Sequence, residues 1–65
     1  MSIVVNGERH VLPSSMTMEA LLHSLMPKPP FAAALNGGFI PASDYGEYVL
    51  NEGDRIEIVH PSAGG

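Results

Sequence analysis

An α+β fold, with one helix packed on a mixed sheet of four to five strands, is predicted for this 65-residue chain by three observations. Two Asn-Gly dipeptides, Asn6-Gly7 and Asn36-Gly37, each separate short apolar runs, which is the strongest short-range signal of a β-hairpin. Between them Met18, Leu21, Leu22 and Leu25 recur at i, i+3, i+4 and i+7, the apolar stripe of an amphipathic helix. Residues 55–60 then alternate as a last strand with Ile56 and Ile58 on one face.

Each element follows from its residues. Ile3, Val4 and Val5 are β-branched, and the run looks buried on both faces, which places the first strand centrally in the sheet. The returning strand, residues 8–12, carries Glu8, Arg9 and His10 and belongs at an edge; Pro13, which has no N–H for the ladder, ends it. Thr17 is the expected N-cap of the helix, with Glu19 in the first turn where the helix dipole favours an anion, and Pro27 stops the helix near Leu25 or Met26.

Residues 27–30, Pro-Lys-Pro-Pro, read as a stiff connection into a strand over residues 31–35, and Phe39-Ile40 forms a short return strand ended by Pro41. Residues 42–50 suit an irregular or 3₁₀-like turn in which Tyr45 and Tyr48 act as packing anchors. The right-handed crossover rule lets the last strand lie parallel beside the first. No internal repeat or domain boundary interrupts the chain, so residues 1–65 read as a single domain.

Composition narrows the function. Net charge is −4, and Asp44, Glu47, Glu52, Asp54 and Glu57 place five of the seven acids within one stretch that only Arg55 interrupts. Phosphate backbones require basic patches, so neither nucleic acid nor an anionic membrane is an expected partner, whereas a protein with a basic docking face is. Charged residues are 15% of the chain against about 25% in an average domain, which leaves room for an exposed apolar patch. Cysteine is absent, which removes disulfides and thiolate metal sites. With no signal peptide pattern and no long apolar span, a soluble cytoplasmic protein is expected. His10, His23 and His60 fall on different elements and form no catalytic or metal-ligand spacing, so no bound metal or cofactor is expected.

The chain ends Ser62-Ala63-Gly64-Gly65. Without Cβ atoms, two glycines let another backbone approach closely, so the tail is suited to thread a narrow channel and deliver its carboxylate to a partner's active site. A carboxylate becomes an electrophile once ATP converts it to an acyl-adenylate, and a sulfur or nitrogen nucleophile then attacks the carbonyl. The missing cysteine has a chemical sense here, because an internal thiolate would compete as nucleophile.

In order along the chain, Val5-Asn6-Gly7-Glu8, Thr17-Met18-Glu19-Ala20-Leu21-Leu22, Ala34-Leu35-Asn36, Ile40-Pro41, Leu50, Gly53-Asp54-Arg55-Ile56 and Ala63-Gly64-Gly65 together resemble the ThiS family. These are the small sulfur carriers of thiamin biosynthesis, within the ubiquitin-like β-grasp group. The resemblance covers essentially the whole chain and implies a protein substrate rather than an enzyme. It implies that Gly65 is adenylated by a ThiF-like, E1-related adenylyltransferase using ATP and magnesium, converted to a thiocarboxylate with a sulfur donor enzyme, and used by thiazole synthase. Gly64 and Ala63 take the threading positions. Pro61-Ser62 stands where such tails often carry larger apolar residues, a departure that implies weaker docking at Ser62, while Pro61 stiffens the root of the arm.

The exposed docking patch expected beside the tail comprises Val59, Ala32 and Ala34, with the acidic stretch steering a basic partner. Three other readings share the sequence: the small subunit of molybdopterin synthase, a ubiquitin-like modifier joined to protein lysines, and an interaction module with an inert tail.

Overall fold

The computed structural model describes residues 1–61, so Ser62, Ala63, Gly64 and Gly65 lie outside the described residues. Five strands, β1 (Ser2–Val5), β2 (Glu8–Val11), β3 (Ala32–Leu35), β4 (Gly38–Ile40) and β5 (Arg55–Val59), form one sheet in the order β2-β1-β5-β3-β4. The helix α1 (Met18–Leu25) packs on one face of it. Both Asn-Gly sites are hairpin turns as expected: β1 pairs antiparallel with β2, and β3 with β4. The crossover expectation holds as well, since β5 runs parallel to β1 with Val4 opposite Arg55 and Val5 opposite Ile56.

β5, rather than β1, occupies the centre. It joins the two hairpins, pairing with β1 on one side and antiparallel with β3 on the other, where Ala32 faces Val59 and Leu35 faces Ile56. The first strand is interior but covered on one face only, because Ile3 and Val5 are buried while Ser2 and Val4 are half-buried. Three consecutive β-branched residues read as two-sided burial, but this sheet has its helix on a single side, and among the described residues no layer covers the other face.

The helix begins where its cap requires. Thr17 is extended (φ −81°, ψ 162°) and its Oγ1 accepts a hydrogen bond from the Ala20 N–H at 3.1 Å, satisfying a donor that the first turn would leave free. The helix closes at Met26, which adopts the left-handed conformation (φ 51°) and donates its N–H to the Leu22 carbonyl at 2.9 Å before Pro27 prevents continuation. Met18, Leu21 and Leu22 are buried and Leu25 is packed at the margin of the core. They meet Ile3, Val5, Ala33, Ile40, Ile56 and Ile58 from the sheet.

A 3₁₀ turn, Ala42–Glu47, follows β4, and the chain then passes the start of the helix. There the Met18 N–H donates to the Tyr48 carbonyl at 2.8 Å, the Leu50 N–H to the Met16 carbonyl at 2.9 Å, and the Ser15 hydroxyl to the Leu50 carbonyl at 3.0 Å. These bonds set Leu50 fully inside the core. Tyr45 packs against the core as expected. Tyr48 does not: its ring is exposed, because its backbone carbonyl, not its side chain, makes the contact with the helix.

Candidate functional site

The tail follows in sequence from β5, so the site is built around that strand's C-terminal end. Ile56 and Ile58 point into the core, which turns Arg55, Glu57 and Val59 to the uncovered face of the sheet. On β3 the buried residue is Ala33, so Ala32 and Ala34 face outward, each half-buried. On β4 the buried residue is Ile40, so Phe39 faces outward too, and it is 68% exposed. Register brings these together: Val59 lies opposite Ala32, and Ala34 lies between Glu57 on one side and Phe39 on the other.

The result is a shallow apolar floor of two alanines bordered by Val59 and Phe39, next to the root of the tail. The three residues named from the sequence, Val59, Ala32 and Ala34, are thus contiguous. Phe39 was missed, although the same alternation that buries Ile40 turns Phe39 outward. Apolar residues of this size on an uncovered sheet face are the usual mark of a protein-binding surface. Ser62, Ala63, Gly64 and Gly65, expected to dock or react, lie outside the described residues.

The acidic stretch divides into two kinds of residue. Glu52 accepts from the Ser2 hydroxyl at 2.7 Å and from the Ser2 N–H at 3.0 Å, and these two bonds, the hydroxyl's first, hold its carboxyl below its ordinary value. Asp54 accepts from the Asn51 N–H at 2.7 Å and from the Asn36 amide at 3.1 Å, closing the turn before β5. Both therefore serve the fold while keeping their charge. Glu57 is exposed on the outer face beside Ala34.

His10 lies on β2, His23 on α1 and His60 just beyond the end of β5, so the structure does not gather them. Among the described residues no group of three or more His, Cys, Asp or Glu is placed to hold a metal ion. Among the described residues, too, no helix is long and apolar enough to cross a membrane. A groove of about 570 Å³ runs beside the end of α1, lined chiefly by Leu22, Met26, Pro27, Phe31 and Tyr45.

A mixed five-stranded sheet holding one helix, with its last strand in the middle, defines the ubiquitin-like β-grasp class. The ThiS family model matches residues 2–65, and the chain belongs to that family. A crystal structure of the thiamine biosynthesis protein ThiS from Geobacter metallireducens superimposes with a TM-score of 0.88 at 23% identity, covering 100% of both chains. A solution structure of a thiamine biosynthesis protein from the same organism gives 0.80 at 23% identity, over 100% of this chain and 88% of that one. At that identity the likeness establishes the fold. The chain is also 39% identical, over 66 aligned residues, to thiazole synthases of Paramagnetospirillum magneticum and Magnetococcus marinus. It is covered completely in both alignments and spans 20% of the length of each.

Proposed function

We propose that this protein carries sulfur as a thiocarboxylate on Gly65 and donates it to thiazole synthase. The observation that supports this most directly is that a segment equivalent to the whole chain lies within two thiazole synthases about five times as long. Carrier and synthase are then parts of one polypeptide in those relatives, the arrangement expected of two proteins that act on each other.

In this reading a ThiF-like, E1-related adenylyltransferase binds ATP with magnesium. The Gly65 carboxylate oxygen attacks the α-phosphorus, pyrophosphate leaves, and the acyl-adenylate forms. Hydrosulfide provided by a sulfur donor enzyme attacks the carbonyl and AMP leaves, so the carboxylate has exchanged one oxygen for sulfur. The chain's own contribution is recognition. Val59, Ala32, Ala34 and Phe39 dock on the activating enzyme, with Ser62 as a weaker docking position beside them, and Ala63 and Gly64 pass through a channel that a larger side chain would obstruct. Nothing in this scheme requires a cofactor bound to the carrier.

The test is the intact mass of the full chain after incubation with its host's activating enzyme, ATP, magnesium and a sulfur source. An oxygen-for-sulfur exchange confined to Gly65, followed by its loss on adding thiazole synthase, is the expected result. Unchanged mass beside a demonstrably active enzyme overturns the proposal. Transfer to a molybdopterin-forming synthase instead would place the chain with that carrier, and attachment to lysine would make it a modifier.

A further inference from the structure

We propose that Asn6 is a positioning residue that fixes the end of β5 from which the tail departs, its side-chain amide serving as a substitute peptide group. The inference rests on the carrier reading above. In the parallel pairing of β1 with β5, the Val4 N–H donates to the Asp54 carbonyl and the Asn6 N–H to the Ile56 carbonyl, each at 2.9 Å. Continuing that ladder requires a further carbonyl and a further N–H from β1 for the peptide groups of Ile58. The backbone cannot provide them, because the chain leaves the sheet at Asn6 (φ 50°) and Gly7 (φ 82°) to make its turn.

The carboxamide of Asn6 fills both places. Its Oδ1 accepts from the Ile58 N–H at 2.8 Å and its Nδ2 donates to the Ile58 carbonyl at 3.2 Å. Asparagine suits the position twice over: it tolerates the left-handed backbone of the turn better than most residues, and its amide carries one acceptor and one donor in the geometry of a peptide. Aspartate has no donor for the carbonyl, and alanine has neither group.

The second hairpin uses a related arrangement at the opposite end of the strand, with the donor from the backbone and only the acceptor from the side chain. Asn36 (φ 49°) donates its N–H to the Arg55 carbonyl at 2.7 Å and accepts the Arg55 N–H on Oδ1 at 2.9 Å. Asn36 therefore holds β5 where it enters the sheet, and Asn6 holds it where it leaves. Beyond Ile58 only Val59 pairs further, with Ala32 on β3. Removing the Asn6 amide leaves the Ile58 peptide groups without a protein partner on the β1 side, and the last turn of the strand before Pro61 is then secured from β3 alone.

The consequence for docking is entropic. A partner that must thread the tail gains if the strand end already points one way; where it does not, binding has to fix it. Fixing the backbone of a single residue corresponds to about a tenfold loss of affinity.

The experiment compares full-length wild type, Asn6→Ala and Asn36→Ala at a temperature where circular dichroism shows all three folded. For Asn6→Ala the expected results are faster hydrogen exchange at the Ile58 amide, a lower backbone order parameter at His60, and a KM for the activating enzyme raised about tenfold with kcat within about twofold of wild type. Asn36→Ala also removes a side-chain bond to β5, the one from the Arg55 N–H, but should accelerate exchange at Arg55 and leave both His60 and KM unchanged. Equal KM increases in the two variants would reduce Asn6 to a purely structural role, and a wild-type KM and His60 order parameter in Asn6→Ala would overturn the inference outright. Should Asn6→Ala not fold, Asn6→Asp keeps an acceptor for the Ile58 N–H but sets a carboxylate oxygen against the Ile58 carbonyl in place of the donor, and is expected to show the same pattern. A wild-type chain that takes no sulfur would remove the carrier reading instead, and the order parameter of His60 would then decide on the clamp by itself.

Discussion

Replacing Phe39 by alanine should weaken docking of the carrier while leaving its fold in place. The ring stands on the uncovered sheet face with 68% of its surface exposed, so the folded protein has little to lose from its removal, about 0.5 kcal/mol or less for a surface position of this kind. A partner that covers the face gains what the fold does not. Complete burial of a large apolar side chain contributes about 1.5–3 kcal/mol, and the exposed two-thirds of Phe39 therefore about 1–2 kcal/mol. That corresponds to a dissociation constant for the activating enzyme about 5- to 30-fold weaker. Titration calorimetry of the two proteins measures it directly, and a thermal melt shows that the fold is retained. Val11→Ala is the control, because Val11 is 75% exposed on the same face but on β2, at the far flank of the sheet. Unaltered affinity in Phe39→Ala, or an equal loss in Val11→Ala, would refute the assignment of the docking surface to the β5–β3–β4 side.

Other outcomes follow from the same geometry. Thr17→Ala removes the cap bond to Ala20 and should cost about 1 kcal/mol, lowering the melting temperature by about 4–8 °C; a change under about 1 °C would show that solvent caps the helix equally well. Met26→Gly relieves a left-handed residue at the helix terminus whose side chain is 80% exposed, and should raise the melting temperature by about 3–6 °C; a fall would mean that the Met26 side chain contributes packing. Glu52 has a lowered pKa in the fold, so its bonds with Ser2 contribute stability above the unfolded-state value near 4.5, and this is lost as pH falls through the lowered native value. The small melting-temperature gap between wild type and Glu52→Gln should therefore be constant at neutral pH and close on acidification below that range; closure on the alkaline side would contradict the assignment.

Local signals carried most of the architecture. Asn-Gly turns, a helix stripe with Thr17 before it, and the alternation around Ile56 and Ile58 each act over a few residues, where steric and hydrogen-bonding rules are strongest. What could not be read locally was which strand lies in the middle. Val4 looks as apolar as its neighbours, and only the absence of a second layer leaves it half-covered. Tyr48 shows the same limit, since a backbone contact with Met18 decides where its ring goes. At the site, Val59, Ala32 and Ala34 emerged from alternation, whereas Phe39 was passed over because a three-residue strand offers little pattern to follow. The acids show another limit: charge alone does not reveal that Glu52 and Asp54 also hold turns, because their partners Ser2, Asn51 and Asn36 lie far apart in sequence or inside a turn.

The central place of β5 bears on how the protein is made. The strand that joins the two hairpins is the last of the described elements to be synthesised, and β1 shares no pairing with β3 or β4. A nascent chain can form its hairpins and helix on the ribosome, but the sheet closes only after Arg55–Val59 has emerged. A message or a chain cut short before that point yields two hairpins that share no strand pairing and keep exposed edges, a species open to proteases. Closure of the sheet thus depends on the element of this domain that is made last.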